Sequence, residues 1–301
     1  MTELTERPAP GTPFAGSAPP LPANATKYFD YLRALVSRRS AIVIESGKEY
    51  LVESKLSNLA RRTGHPTAWA MLDALMSAPE GPLHDEVVDA MTTNETSFFR
   101  DPPVFDTLSD VVIPDLVRRH RADRRLTIWS AACSSGQEPY SLAILLKEKF
   151  PELSSWQVRI VATDISSSMV EKAKSGKFTR LEVNRGLPAP LLLKHFDQKG
   201  MEWEIDPRLR EPVTFRQLNL ARPFPVLPPM DLVMLRNVLI YFSVADKQKV
   251  LERMRDVLRP GGYLVLGTSE STVNLDRCFE RLSAGTAGVH RLTVPEEGPC
   301  R

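Results

Sequence analysis

The sequence predicts a small all-helical domain followed by an α/β domain of parallel strands joined by helices. Three observations predict this. Apolar residues recur at helical spacing up to about residue 94, and after residue 100 short β-branched runs alternate with helical stretches. The length of 301 residues, 42% hydrophobic and 25% charged, accommodates two ordinary globular domains of roughly 150 residues each.

Residues 1–24 carry Pro8, Pro10, Pro13, Pro19, Pro20 and Pro22 among Ala, Thr and Gly, too little apolar mass to offset ordering entropy, and read as a disordered tail. The helical domain is expected over 25–100. Tyr28, Leu32, Leu35 and Val36 share one helix face; Leu51, Leu56 and Leu59 mark a second helix ending near Gly64. Thr67 can cap a third with the stripe Trp69, Leu72, Leu75 and Met76, and Leu83, Val87, Val88 and Met91 line a fourth. The α/β domain is expected over 101–295, with a short tail at 296–301. It begins with a helical stretch interrupted at Pro114. Strands fit Leu126–Ser130, Val158–Thr163, Val213–Phe215, Asp231–Leu235 and Tyr263–Gly267, with a late pair at Cys278–Leu282 and Val289–Val294. Helices fit Glu138–Phe150, Ser168–Ser175 and Ala245–Leu258, the last closed by Pro260, Gly261 and Gly262. Residues 178–210 break the alternation and read as an insertion.

Several function classes are disfavoured by composition. The 39 Lys and Arg against 37 Asp and Glu leave a formal charge of +2, so no global field draws the chain to nucleic acid or an anionic bilayer. The densest basic cluster, Arg118, Arg119, Arg121, Arg124 and Arg125, directly precedes the first strand and reads as a solvated helix end. No apolar run approaches the ~20 residues a membrane span requires, and no signal-peptide pattern is visible, so a cytoplasmic protein without membrane insertion is expected. Cys133, Cys278 and Cys300 are odd in number and widely spaced, which suits neither a disulfide framework nor a zinc cluster. No metal is expected.

The first strand runs into Ser130-Ala131-Ala132-Cys133-Ser134-Ser135-Gly136-Gln137-Glu138, small residues leading to a helix start. Small side chains let a ligand approach the backbone, and free amides at a helix N-terminus favour an anionic group. The loop has neither the Gly-x-Gly-x-x-Gly pattern nor a Gly-Lys-Ser/Thr phosphate loop, which disfavours dinucleotides and nucleoside triphosphates. Glu138 could pair with a ligand ammonium, or simply be an acid favourably placed in a first helical turn. Asp164, ending the second strand beside that loop, can accept both hydroxyls of a ribose; alone it could equally be a turn residue. Asn219 and Asn237 follow the third and fourth strands and can both donate and accept, although Asn in a loop is often turn chemistry. A ligand with ribose, ammonium and carboxylate but no phosphate is S-adenosylmethionine.

At this point the chain resembles the CheR-type chemotaxis receptor methyltransferases. In that family a Rossmann-like S-adenosylmethionine-dependent methyltransferase domain follows a small all-helical domain, and glutamate side chains on chemoreceptor cytoplasmic helices are esterified. The resemblance covers residues 26–294. Its most telling string is Thr92-Thr93-Asn94-Glu95-Thr96-Ser97-Phe98-Phe99-Arg100, followed in family order by Ala131 to Ser141, Ala162 to Ile165, Leu218 to Leu220 and Arg236 to Phe242. The resemblance implies that Asn94, Thr96, Arg100, Glu138 and Asp164 contact S-adenosylmethionine or its product S-adenosylhomocysteine, together with Asn219, Leu220, Asn237 and Val238. It places Arg100 and Tyr241 near the transferred methyl and the incoming carboxylate. Without it, Arg100 would read as a surface arginine, and Tyr241 and Phe242 as core aromatics.

A glutamate with a reference pKa near ~4.3 is ionised at neutral pH, so methyl transfer to it requires no general base, in agreement with motifs that contain no His. Alignment of the reacting atoms is what such a site must supply. The expected partner is the cytoplasmic helical bundle of chemoreceptors, met by a monomeric enzyme; Lys55, Arg61 and Arg62 could face an acidic receptor helix or form a solvated face. Some family members grip a receptor C-terminal pentapeptide with a glycine-bearing loop of an inserted β-subdomain. The corresponding stretch here, Phe196 to Ile205, lacks a paired-glycine loop, so pentapeptide tethering is not expected. Two other readings remain at this stage: a methyltransferase for another substrate class, since the cofactor half is widely shared, and a scaffold that binds S-adenosylmethionine without turnover. Pro228 and Pro229 precede the fourth strand instead of following it, which counts against base-amine methylation.

Overall fold

The computed structural model describes residues 22–282 and 288–293. Most of the expected N-terminal tail, the expected C-terminal tail and Val294 of the last expected strand lie outside the described residues. Four helices come first: α1 (Ala25–Ser40), α2 (Tyr50–Arg62), α3 (Ala68–Ser77) and α4 (Pro82–Met91). Their apolar stripes meet in one core that includes Phe29, Leu32, Leu56, Leu72 and Val87. Thr67 caps α3, its hydroxyl accepting from the Ala70 amide at 3.0 Å. Lys55 does not face outward. Its ammonium donates to the carbonyls of Met91 (3.2 Å) and Thr92 (2.6 Å) at the end of α4, and burial lowers its pKa. Arg62 pairs with Glu86.

Beyond Arg100 come α5 (Pro102–Thr107), a π-helical turn at Leu108–Val112 and α6 (Ile113–Arg119). The interruption expected at Pro114 is this wide turn. Ile113 N–H bonds to the Leu108 carbonyl, five residues back, and the helix continues past a proline that has no amide to offer. The α/β domain then runs β1 (Arg125–Ala131), α7 (Gln137–Lys149), β2 (Gln157–Asp164) and α8 (Ser167–Ser175). The stretch that breaks the alternation contains β3 (Lys177–Thr179), α9 (Arg180–Asn184), α10 (Ala189–His195), β4 (Phe196–Lys199), β5 (Glu202–Ile205) and α11 (Pro207–Arg210). Its strands form a separate antiparallel sheet of order β3-β5-β4. The chain resumes with β6 (Val213–Gln217), β7 (Met230–Leu235), α12 (Val244–Val257), β8 (Leu258–Leu266), β9 (Phe279–Arg281) and β10 (Gly288–Leu292).

The main sheet has the order β6-β2-β1-β7-β8-β10-β9. The first five strands are parallel and β10 runs antiparallel to β8. Strand order reverses between β1 and β7, which opens a crevice at their C-terminal ends. Side chains alternate across the sheet: Ile128, Ile160 and Leu232 enter the core on one face, while Trp129, Val161 and Val233 enter the core on the other. Pro260-Gly261-Gly262, expected to close a helix, instead lies within β8, where the register with β7 shifts between Met230 and Leu232. Cys278 is engaged in a disulfide, so among the described residues only the buried Cys133 is a free thiol.

Phe98 ties three parts of the molecule together. Fully buried, it packs edge-on against Phe178 of β3 (centroids 5.1 Å apart) and Phe196 of β4 (5.6 Å), and its amide donates to the Arg185 carbonyl. The neighbouring Phe99 amide donates to Ser141 Oγ on α7 at 2.9 Å. The segment joining the two domains is thereby fixed on both sides. Phe98→Ala is expected to lower unfolding free energy by about 3–5 kcal/mol, measured by urea denaturation; a loss under about 1 kcal/mol would contradict this role.

Candidate active site

The crevice at the switch point deepens into a cleft between the helical and α/β domains. All ten residues singled out from the sequence line it. Asn94, Thr96 and Arg100 come from the inter-domain segment, Glu138 from the first turn of α7, and Asp164 from the end of β2. Asn219 and Leu220 follow β6, and Asn237, Val238 and Tyr241 follow β7.

The helical domain is joined to this rim by backbone contacts. Ile42, just after α1, forms an antiparallel bridge with Phe242, and the Val43 amide donates to the Tyr241 carbonyl at 2.8 Å. Asn219 Nδ2 donates to the Arg39 carbonyl at 2.6 Å, while its Oδ1 accepts from the Ala221 amide. Ser134 Oγ donates to the Asn94 carbonyl at 2.7 Å. The side chain of Asn219 thus also serves as a domain joint.

At the end of β2, Asp164 is only 5% exposed. Its Oδ2 accepts from the Ser134 amide (2.8 Å) and its Oδ1 from the Ser166 amide (2.9 Å). Burial raises its pKa, against the lowering effect of those two amides, and the Asp89 charge raises it further. One amide of the small-residue loop, that of Ser134, is therefore committed to Asp164. Each carboxylate oxygen still has a lone pair for a further donor.

Arg236 was quoted in a motif string but given no role by the sequence. Its side chain is 2% exposed and its guanidinium holds three partners: Nη1 donates to Glu138 Oε2 (3.1 Å), and Nη2 donates to Asp101 Oδ2 (2.8 Å) and to the Arg100 carbonyl (2.7 Å). Glu138 is further held by Ser130 Oγ, which donates to its Oε1 at 2.7 Å. Arg100 itself is half-buried and makes one side-chain hydrogen bond, Nη1 to the Glu95 carbonyl at 3.1 Å. Tyr241 uses its backbone in the domain bridge, and its hydroxyl has no partner among the described residues.

A second residue outside the expected set is Glu270, which follows β8 and accepts backbone N–H bonds from the loop after β7. An acidic residue just past a strand end on the crevice side was the available signal. Strained backbone gathers here too. Of the eight non-glycine residues with positive φ among the described residues, Ala132, Ser134 and Asn237 line the cleft, and Phe99 and Asp101 flank Arg100. Gly136, with φ +96°, turns the loop into α7 where a Cβ would lie 2.9 Å from that of Ala173.

These acceptors suit S-adenosylmethionine. Asn237 Oδ1 is buried without any donor, an acceptor for an ammonium or amine, and Asp164 offers a buried carboxylate at the strand end where a ribose is received. Residues 94–287 match the CheR methyltransferase SAM-binding domain and residues 27–92 the CheR methyltransferase all-alpha domain. The chain is 41% identical over 268 residues to chemotaxis protein methyltransferase 1 of Pseudomonas aeruginosa, covering 87% of this chain and 97% of that protein. Identity to chemotaxis protein methyltransferase Cher2 of Pseudomonas putida is also 41%, with the same coverage. Chemotaxis protein methyltransferase 1 of Vibrio cholerae is 38% identical over 270 residues, with 88% and 96% of the two chains covered. No helix among the described residues is long and apolar enough to cross a membrane. With two successive domain matches and relatives aligned over most of its length, the chain belongs to the CheR family of S-adenosylmethionine-dependent chemotaxis protein methyltransferases.

Proposed function

We propose that the enzyme methylates glutamate side chains of methyl-accepting chemotaxis receptors, giving glutamyl methyl esters and S-adenosylhomocysteine. The observation that carries the reading is the make-up of the cleft wall. It offers an arginine with most of its fork uncommitted and a tyrosine hydroxyl without an internal partner, and it contains neither His nor Lys. Its carboxylates are already engaged, Glu138 by Ser130 and Arg236, Asp164 by two amides and Glu95 by Arg185. A wall without a free base suits an acceptor that arrives ionised, and a glutamate with pKa near ~4.3 does so at neutral pH.

S-adenosylmethionine, when bound, supplies a methyl group on a positively charged sulfur. Asp164 receives the ribose hydroxyls, Glu138 and Asn237 the ammonium, and Asn219, Leu220 and Val238 border the nucleoside. Asn94 and Thr96 close the cleft from the inter-domain segment. Arg100 orients the incoming carboxylate through part of its guanidinium, leaving one carboxylate oxygen free to attack, and Tyr241 flanks it. A full bidentate grip would neutralise the nucleophile it holds, so orientation with partial pairing favours transfer. The acceptor comes from the cytoplasmic helical bundle of the receptor and is recognised without a C-terminal pentapeptide. Between β4 and β5 the chain turns over Gly200 and Met201 alone, too short a loop to wrap a peptide. The enzyme acts in the cytoplasm, as a monomer.

Incubation of receptor cytoplasmic fragments with labelled S-adenosylmethionine is expected to give methyl groups that base releases as methanol. Arg100→Ala should reduce kcat/KM by about a hundredfold, and fragments lacking the C-terminal pentapeptide should be methylated as well as intact ones. Base-stable label, near wild-type turnover by a folded Arg100→Ala, or dependence on the pentapeptide would each overturn the corresponding part.

Asp164 also predicts a pH dependence. Because burial raises its pKa, the ionised acceptor is lost as pH falls, at a higher pH than for an ordinary aspartate. A raised carboxyl pKa also means that the ionised group detracts from apo stability at neutral pH, so Asp164→Asn should fold. Calorimetry with S-adenosylhomocysteine should show affinity declining toward pH 5 more steeply for the wild type than for Asp164→Asn, which binds more weakly at neutral pH. Parallel pH profiles would remove Asp164 from ribose binding.

A further inference from the structure

Glu270 is a buried carboxylate, 9% exposed, with no Lys, Arg or His paired to it among the described residues. What compensates its charge is backbone. Its Oε2 accepts from the amides of Gly267 and Asn237, both at 2.7 Å, and its Oε1 accepts from the amides of Val238 (2.8 Å) and Ile240 (3.2 Å). Two loops supply these donors, one after β7 and one after β8, and they adjoin because Leu235 and Leu266 are register partners in the sheet. Four amides on one carboxylate make a strong, charge-assisted staple.

The staple acts on Asn237. It holds the amide of Asn237 and the amide of Val238, so the peptide planes on both sides of the Asn237 Cα are fixed. That residue sits at φ +57°, a left-handed conformation that asparagine tolerates better than other non-glycine residues and that the staple holds in place. The close approach depends on Gly267: a Cβ there would lie 2.8 Å from Asn237 Nδ2 and 2.9 Å from Glu270 Oε2. Asn237 itself lines the cleft, and its Oδ1 is buried with no donor from protein. A buried acceptor in this state is matched by a ligand N–H.

We propose that Glu270 is a positioning residue for the amino-acid head of the cofactor: it pins Asn237 so that Oδ1 accepts from the ligand ammonium. The inference rests on the cleft holding S-adenosylmethionine, and it assigns Asn237 to the methionine end and not to the adenine. Glu270→Gln keeps shape but turns an NH2 group toward two of the four amides, leaving two buried donors without an acceptor. The staple then loosens where the head binds, while the ribose site at Asp164, on β2, is untouched.

The test compares two ligands that differ only at the head. S-adenosylhomocysteine carries the amino-acid group; 5′-methylthioadenosine has the same nucleoside and sulfur without it. Glu270→Gln is expected to bind S-adenosylhomocysteine about tenfold to a hundredfold more weakly, with methylthioadenosine affinity changed by less than about twofold. Asn237→Gly, whose backbone adopts positive φ without strain, should show the same selective loss, and it decides the question if the Glu270 variant does not fold. Equal losses for both ligands would mean general disruption or an adenine contact, and unchanged affinity would mean no role; either overturns the proposal. A wild-type protein that bound neither ligand would overturn the cofactor assignment of the cleft and the proposal with it.

Discussion

A single buried cation organises the reactive side of this enzyme. Arg236 lies at the end of the central strand β7, almost wholly out of solvent, and a guanidinium there is tolerable only when its donors are matched. Two acids and one carbonyl provide the match, and each belongs to a different part of the site. Glu138 comes from the first helix of the α/β domain, Asp101 and the Arg100 carbonyl from the inter-domain segment. Satisfying one charge therefore ties the first turn of α7 to the inter-domain segment that carries Arg100. The Arg236 Nε is buried without a hydrogen-bond partner.

Around this centre, ordering is achieved by backbone more than by side-chain packing. Asp164 takes two amides and Glu270 takes four, while the seam between the domains is a short β-bridge reinforced by side-chain bonds to carbonyls from Asn219, Arg222 and Ser134. Carboxylates used in this way convert flexible loops into fixed walls, and they leave positive φ values at non-glycine positions as the visible residue of that constraint. Such preorganisation suits the proposed transfer to an acceptor that arrives ionised, where alignment has most to supply.

Much of this was legible before any coordinates. The four helical stripes, the parallel strands and the small-residue loop follow from periodicity and strand-end chemistry, which are local in sequence. What escaped was set by neighbours distant along the chain. Glu270 looks like any polar residue after a strand until β7 and β8 are paired and four amides converge on it. Lys55 sits where a solvent-facing cation would on α2, yet the end of α4 offers it two unpaired carbonyls. Periodicity sets Asp164 beside the small-residue loop, but that its carboxylate takes the Ser134 amide depends on the pairing of β1 with β2. The Pro260-Gly261-Gly262 triplet carries a helix-stop signature, but sheet pairing with β7 draws it into an irregular strand.

The central claim is that one cleft, framed by Asp164, Glu138, Asn237 and Arg100, holds the methyl donor with its reactive end toward the domain junction. A crystal structure of the full chain with S-adenosylhomocysteine tests this most directly. The account predicts ribose hydroxyls on Asp164, the amino group within hydrogen-bond reach of Asn237 Oδ1, and the sulfur on the side of Arg100 and Tyr241. Ligand density elsewhere, or a nucleoside turned so that the sulfur points away from Arg100, would contradict it.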